Sequence, residues 1–297
     1  MQTAVAANPL KVWVLASRPR TLPAAVAPVV VGMALAIAHG VFAWGPVLAA
    51  VLGACFIQIG TNFANDYFDF KSGADTAERL GPLRVTQAGL VTPAQIKAAT
   101  AIAFGLAMLC GLYLTWVGGW PIVVIGLLSI LSGIAYTGGP FPLGYNGLGD
   151  LFVFIFFGLV AVGGTYYVQA LTFSPLALAV AVPVGLLSTA IIVVNNLRDV
   201  STDVVAGKRT LAVMFGRGFA RAEYLALLVL SYAAPLALIA LGKVSPWSAL
   251  TLLSLPLAVK LIRKVNTVEG PALNAVLGGT GQLLLVFSLL FSLGLVL

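Results

Sequence analysis

The chain has 297 residues, of which 60% are hydrophobic and only 8% charged, and its mean hydropathy is +1.06. That profile excludes an ordinary soluble domain and fits a polytopic membrane protein. The formal charge of +7 is no argument for nucleic acid, because the basic residues lie between apolar runs, where they set orientation in a membrane.

Residues 1–21 are weakly amphipathic, with Leu10, Val12, Trp13, Val14 and Leu15 apolar, and read as a short helix lying on the interface. Arg18 and Arg20 directly precede the first long apolar run, which leads on into further spans; this does not read as a signal peptide. Between Arg20 and Asp66 the only break is Ala38-His39-Gly40, and a span needs roughly 20 residues, so two spans are expected there. His39 is the only histidine and falls in a turn, where a solvated side chain is expected rather than a catalytic one. Cys55 and Cys110 lie inside apolar segments as small buried side chains and imply no disulfide framework.

The second span ends in Asn62-Phe-Ala-Asn65-Asp66-Tyr-Phe-Asp69, and the rest of the chain is organised around this stretch. Helical spacing puts Asn62, Asp66 and Asp69 on one face, with Asn65 and Asp69 a second pair nearly on it and Asp75 following in the loop. Carboxylates this close repel unless something positive holds them. Hard oxygen ligands of this kind suit Mg²⁺, which is commonly held by one or two carboxylates together with substrate phosphates.

Lys97 to Asp150 contains no charge and is divided at Gly118-Gly119-Trp120 into two more spans. Asp150 to Arg198 gives another pair, split near Ser174-Pro175. The sixth span closes in Asn195-Asn196-Leu197-Arg198-Asp199 and Asp203, with Asn195, Asp199 and Asp203 on one face, and Lys208, Arg209 and Thr210 follow at once. Asn195 and Asn196 fall where a span should still be apolar, and polar groups at that depth usually line a cavity. Glu223 to Lys243, Lys243 to Lys260, and the tail beyond Glu269 supply three further spans, nine in all.

With the N-terminus in the cytoplasm and nine alternating spans, every Lys and Arg except Lys243 falls inside, as do all the acids. The expected architecture is therefore an all-α membrane bundle of nine helices around a central cavity, N-in and C-out, forming one domain over residues 1–297. The Asn/Asp ending followed by cations occurs twice, four helices apart. This reads as a weak parallel repeat of spans one to four and five to eight, with the ninth added. Two acidic faces with cations beside them suit a polyanion such as a diphosphate, bridged by Mg²⁺ and held by Arg and Lys on its outer oxygens.

These residues resemble those of the UbiA-type intramembrane prenyltransferases, most of all the branch acting on 1,4-dihydroxy-2-naphthoate in menaquinone synthesis. The similarity covers most of the chain. It rests on Arg18-Pro-Arg20-Thr-Leu-Pro23; on Asn65-Asp66-Tyr67-Phe-Asp69 with Gly73-Ala-Asp75 and Gly81-Pro-Leu-Arg84; on Tyr136-Thr-Gly-Gly-Pro140 with Gly144-Tyr145; on Gly149-Asp150 and Gly164-Thr-Tyr166-Tyr167; and on Asn195-Asn-Leu-Arg198-Asp199 with Asp203 and Gly207-Lys-Arg-Thr-Leu211. Gly73 stands where many relatives have a third Asp, and Pro140 where many have a Lys, which lowers the case for 4-hydroxybenzoate as acceptor.

The resemblance implies transfer of a polyprenyl group from its diphosphate to the naphthoate, with loss of CO₂. It implies Mg²⁺ held by Asp66, Asp69, Asp199 and Asp203, with Asn65 and Asp75 as further ligands. Asn62 and Asn195 would join them as substrate-side ligands or support the ligands, Arg84, Arg198, Lys208 and Arg209 would act on the diphosphate, and Tyr136, Tyr145, Tyr166, Tyr167, Phe63 and Phe68 would offer aromatic faces to the allylic cation. Arg18 or Arg20 is a candidate for the acceptor carboxylate, against the plainer role of topology charges. The implied setting is the cell membrane, with the active site facing the cytoplasm. A cation-coupled transporter is the rival class, disfavoured because the acids sit at one rim rather than at the midplane. A lipid phosphatase shares the metal logic but lacks a histidine base for water.

Overall fold

The computed structural model describes residues 8–74 and 80–297, and among these every regular element is helical. In chain order these are α1 (Pro9–Ser17), a 3₁₀ turn (Pro19–Thr21), α2 (Leu22–Ala38), α3 (Trp44–Ser72), α4 (Pro93–Gly118) and α5 (Trp120–Ala135). A second 3₁₀ turn (Leu143–Tyr145) precedes α6 (Gly149–Val153), which runs through a π-helical stretch (Phe154–Val160) into α7 (Ala161–Ala170). Then come α8 (Pro175–Val205), α9 (Leu211–Ala240), a 3₁₀ segment (Pro246–Ser254) continuous with α10 (Leu255–Thr267), a turn (Gly270–Ala272) and α11 (Leu273–Val296).

Local chemistry sets these boundaries. Thr92 and Gln95 form a reciprocal capping box at the start of α4, with Pro93 in the first turn. Ser174 and Thr210 cap α8 and α9 by accepting from Ala177 and Val213 N–H groups. Gly73, at φ 72°, closes α3 in the left-handed conformation that only glycine adopts without strain.

Among the described residues seven helical segments are long and apolar enough to cross a membrane: Pro9–Ala38, Trp44–Ser72, Pro93–Gly118, Gly149–Ala170, Pro175–Val205, Leu211–Ala240 and Gly270–Val296. Trp120–Ala135 is apolar but shorter, and Pro246–Ser254 with α10 makes one further helical rod. The breaks expected at His39, Gly119, Ser174, Lys243 and Glu269 all fall between helices. One boundary differs from expectation. The helix that holds the span expected from Glu223 begins earlier, because α9 starts at Leu211 and carries Arg217, Arg221 and Glu223, with a backbone break at Gly216 (φ 85°, ψ 171°). Its basic residues are accommodated by bonding: Arg217 donates to the Leu197 carbonyl, and Arg221 donates to the Val265 carbonyl and pairs with Glu269 at 3.1 Å.

The main core is centred on α8, whose Val180, Val184, Leu187, Val194 and Leu197 are fully or almost fully buried against α2, α9 and α11. A close approach fixes α8 against the π-helical stretch: a Cβ added at Gly158 would lie 2.7 Å from Gly185 Cα. Small residues permit this contact, the usual device by which helices pack without a hydrophobic drive between them. Helix α1 buries Val12 and Ala16 in a second cluster with Phe63, Val85 and Ile96, and leaves Leu10 and Val14 exposed, as an interfacial helix should.

The two ends of the bundle differ in chemistry. At one end α3 and α8 present their Asp residues. At the other, His39 and Tyr166 share a hydrogen bond at 2.8 Å, and Tyr167 donates to the Gly118 carbonyl at 2.8 Å. The Gln169 amide there brackets the Ala43 backbone at 2.6 and 3.1 Å.

Candidate active site

A cavity of about 840 Å³ runs between the helices, with Tyr136, Tyr145, Asp199, Asp203 and Lys208 around its polar end. Phe152, Phe156, Phe157 and Val160, from α6 and the π-helical stretch, give it an aromatic and aliphatic wall. Met108, Leu112, Val123 and Leu127 line it and are also exposed on the outside of the bundle, so one apolar flank reaches the surface. Local π-helical winding recurs at functional sites, and here it supplies part of the wall.

Loop geometry assembles the polar end. Beyond α8, Gly207 at φ 71° turns the chain, the Lys208 N–H donates to the Asp203 carbonyl at 2.9 Å, and the Arg209 N–H donates to the Tyr145 carbonyl at 2.7 Å. Lys208 is thereby directed back over the site. Its Nζ lies 3.6 Å from Asp203 Oδ1, 4.0 Å from Asp69 Oδ1 and 4.5 Å from the centre of the Tyr145 ring. One ammonium therefore spans a carboxylate from each acidic motif, with an aromatic face beneath it.

The two motifs are held differently. Asp69 is buried, bonded to the Arg84 guanidinium and to the Tyr145 hydroxyl, which donates at 2.5 Å. Asp199 is gripped by Arg198, whose Nε and Nη2 donate to its two oxygens at 2.7 and 2.5 Å. Arg198 is 1% exposed and also donates to Asn195 Oδ1 and Asn274 Oδ1, each at 2.8 Å. Asn274 in turn donates to the Leu80 carbonyl at 3.0 Å, joining the second motif to the loop that follows the first. Tyr136 lines the cavity. Burial first, then Asp150, Asp203 and Asp69, raises the pKa of its hydroxyl well above the ordinary tyrosine range, so it stays protonated.

Several expected site residues are placed otherwise. Neither Asp66 nor Asp69 lines the cavity itself: Asp69 meets it through Arg84, Tyr145 and Lys208, which do, and the Asp66 carboxylate accepts from the Val85 and Thr86 N–H groups at 3.1 and 3.2 Å and so shapes the turn that presents Arg84. Asn62 lines the cavity away from the carboxylates, with its amide donating to the Ser17 carbonyl and to Thr21 Oγ1. Asn65 also lines it, accepting from the Thr137 hydroxyl at 2.8 Å. Arg209 is exposed and contributes its backbone rather than a cavity-lining side chain. Tyr166 belongs to the main core and bonds His39 at the opposite end, which corrects its expected place beside the allylic cation. His39, expected to be solvated, is exposed but carries that bond. Asp75 lies outside the described residues. Gln58 and Asn274 line the cavity and were not anticipated; the signal for the first was an amide within an apolar span, four residues before Asn62 and on its face.

Among the described residues no three acidic, histidine or cysteine side chains form a ready-made metal centre. The donor set nevertheless fits a hard divalent cation: Asp69, Asp199 and Asp203 offer oxygen only, and Asp69 and Asp203 both lie within reach of a single cationic group. Mg²⁺ needs few protein ligands when phosphate supplies the rest.

Comparison with known proteins places the chain in a family. Residues 25–277 match the UbiA prenyltransferase family. The 1,4-dihydroxy-2-naphthoate octaprenyltransferase of Escherichia coli is 41% identical over 291 residues, covering 95% of this chain and 94% of that protein. The protein of the same name from Mycobacterium tuberculosis is 40% identical over 282 residues, covering 93% and 94%. Among solved structures, a UbiA homolog from Archaeoglobus fulgidus bound to GPP and Mg²⁺ superposes with a TM-score of 0.69 over 96% of this chain and 99% of that one. At 12% identity, it attests the shared fold. By the extent of the family match and the identity to these relatives, the chain belongs to the UbiA prenyltransferase family.

Proposed function

We propose that this protein transfers a polyprenyl group from a polyprenyl diphosphate to 1,4-dihydroxy-2-naphthoate, releasing diphosphate and CO₂ and forming demethylmenaquinol. The observation that carries the reading is the junction of the two acidic motifs at Lys208, at the mouth of a long apolar cavity. A diphosphate head fits the charged end and an isoprenoid tail fits the apolar wall. Relatives at 40–41% identity carry the name of this activity.

Asp69, Asp199 and Asp203 would hold Mg²⁺, with Asp75 as a further candidate ligand and Asp66 shaping the turn behind them. Bound there, Mg²⁺ neutralises charge on the diphosphate and makes it a better leaving group. Arg84 and Lys208 bind its outer oxygens as the allylic C–O bond breaks and the bonding pair leaves with the diphosphate. The Phe152, Phe156 and Phe157 side of the cavity keeps water from the allylic cation, and Tyr136 and Tyr145 offer it aromatic faces. The ring carbon that bears the carboxylate then joins the allylic carbon. The carboxylate leaves as CO₂, and its bonding pair returns to the ring.

The same reading gives one nine-span domain over residues 1–297, with a parallel repeat, N-in and C-out in the cell membrane and the acidic end facing the cytoplasm. The sidedness of the basic residues supports it. The activity is tested by mass spectrometry of products from purified protein given Mg²⁺, several prenyl diphosphates and a panel of aromatic acids. A decarboxylated prenyl-naphthoquinol is expected; exclusive prenylation of 4-hydroxybenzoate, or no prenylated product, refutes the assignment. A C-terminal reporter that works only in the cytoplasm is expected to stay silent, and strong activity would overturn the nine-span topology.

A further inference from the structure

Resting on the reading above, we infer that Gln58 is an acceptor-binding residue: its amide oxygen takes a hydrogen bond from the 4-hydroxyl of the dihydroxynaphthoate. Gln58 is 9% exposed, lies on α3 and lines the cavity. The orientation of its amide is fixed by a chain of bonds. The Thr21 hydroxyl donates to the Arg18 carbonyl at 3.0 Å, so its proton is already committed. Thr21 Oγ1 can therefore only accept from its other partners, and it receives Gln58 Nε2 and Asn62 Nδ2, each at 3.1 Å. With the nitrogen held at Thr21, Gln58 Oε1 remains as a buried acceptor with no donor among the described residues. A buried acceptor without a donor is costly to keep and recurs where a ligand supplies the missing group.

The surroundings identify that ligand. Arg18 and Arg20, from the turn that carries Thr21, line the same cavity. Arg18 is held at φ 52°, a left-handed backbone that a non-glycine residue adopts only under constraint, and such strain concentrates at functional sites. The subsite thus combines guanidinium groups, which suit a carboxylate, with one amide oxygen, which suits a hydroxyl. In 1,4-dihydroxy-2-naphthoate the 1-hydroxyl is engaged by the adjacent carboxylate, leaving the 4-hydroxyl free to donate.

The test is equilibrium binding of 4-hydroxy-2-naphthoate and of 2-naphthoate to purified protein in neutral detergent, without metal or prenyl diphosphate. Both probes carry the carboxylate, so the ratio of their affinities isolates the hydroxyl. The native protein is expected to prefer the hydroxylated probe by about tenfold. In Gln58→Met, which keeps length and volume but offers only a weak acceptor, the ratio should fall to near one. Gln58→Asn, which withdraws the oxygen by one methylene, should move it the same way and serves if the first variant does not fold. A ratio unchanged in either folded variant, while the native protein still prenylates the dihydroxynaphthoate, overturns the subsite and leaves the activity standing. Failure of the native protein both to bind these naphthoates and to prenylate the dihydroxynaphthoate overturns both.

Discussion

Replacing Arg198 by Met separates two roles that a basic residue beside an acidic motif can have. Arg198 lines the cavity, but a residue that serves as a diphosphate ligand would keep its guanidinium free for the anion. Arg198 is instead 1% exposed, with Nε and Nη2 on Asp199 and further bonds to Asn195 and Asn274. Removing it strands the Asp199 carboxylate in a buried setting, and breaking a buried pair this way costs about 3–5 kcal/mol. Arg198→Lys keeps the charge but not the two-pronged grip, so roughly half of that loss is expected. Unfolding of the purified protein in mixed micelles of increasing denaturing detergent gives the stability directly. Adding Asp199→Asn to Arg198→Met should recover at least about 1.5 kcal/mol, because it removes the stranded charge. If Arg198→Met unfolds within about 1 kcal/mol of the native protein and changes only the KM for prenyl diphosphate, the clamp assignment is wrong and Arg198 is a substrate ligand.

Asp69→Ala and Asp199→Ala should each abolish turnover in protein that still inserts and purifies; retention of more than about a tenth of the activity, a loss under about 1.4 kcal/mol, removes the residue from the site. Lys208→Gln should lower kcat in neutral detergent with little change in the naphthoate KM, because its charge opposes that building on the leaving group. Arg209→Gln should show native kinetics in the same assay, since its side chain is exposed; a matching fall in kcat would place it in the site. Tyr166→Phe should leave the kinetics for both substrates unchanged and cost about 1 kcal/mol through the lost bond to His39; a raised KM for either substrate would return it to the cavity.

The helical plan was legible because a bilayer leaves little choice: every backbone group must be satisfied within its own segment, so runs of apolar residues and their interruptions mark the helices. The start of α9 was not, because charged turns such as Arg217 to Glu223 can stay helical once their side chains find partners, and those partners lie in α8, α10 and the turn that follows α10. Periodicity put Asp66 and Asp69 on one face but could not divide their work. What divides them is the return of residues 84–86, which caps Asp66 with N–H groups and sets a guanidinium on Asp69. Lys208 and Arg209 look equivalent as neighbours; the turn at Gly207 and one backbone bond to Tyr145 send the first over the site and the second outward. Gln58 stands four residues before Asn62 on the same helical face, a spacing that could have found it, whereas Asn274 is a single amide whose partners are distant in the chain.

The bonds that tie His39 to Tyr166, Tyr167 to the Gly118 carbonyl and Gln169 to Ala43 lie at the end of the bundle away from the Asp residues. Their consequence is electrical. A hollow helix bundle in an energised membrane is a potential short circuit, since moving one charge through a 100 mV potential releases about 2.3 kcal/mol. The bonds cross-link α7 to α4 and to the turn between α2 and α3, and the cavity's flank is apolar, so an ion drawn in by the carboxylates faces hydrocarbon and hydrogen-bonded side chains. Hydrocarbon lining of this kind opposes the passage of ions while leaving room for a long lipid substrate.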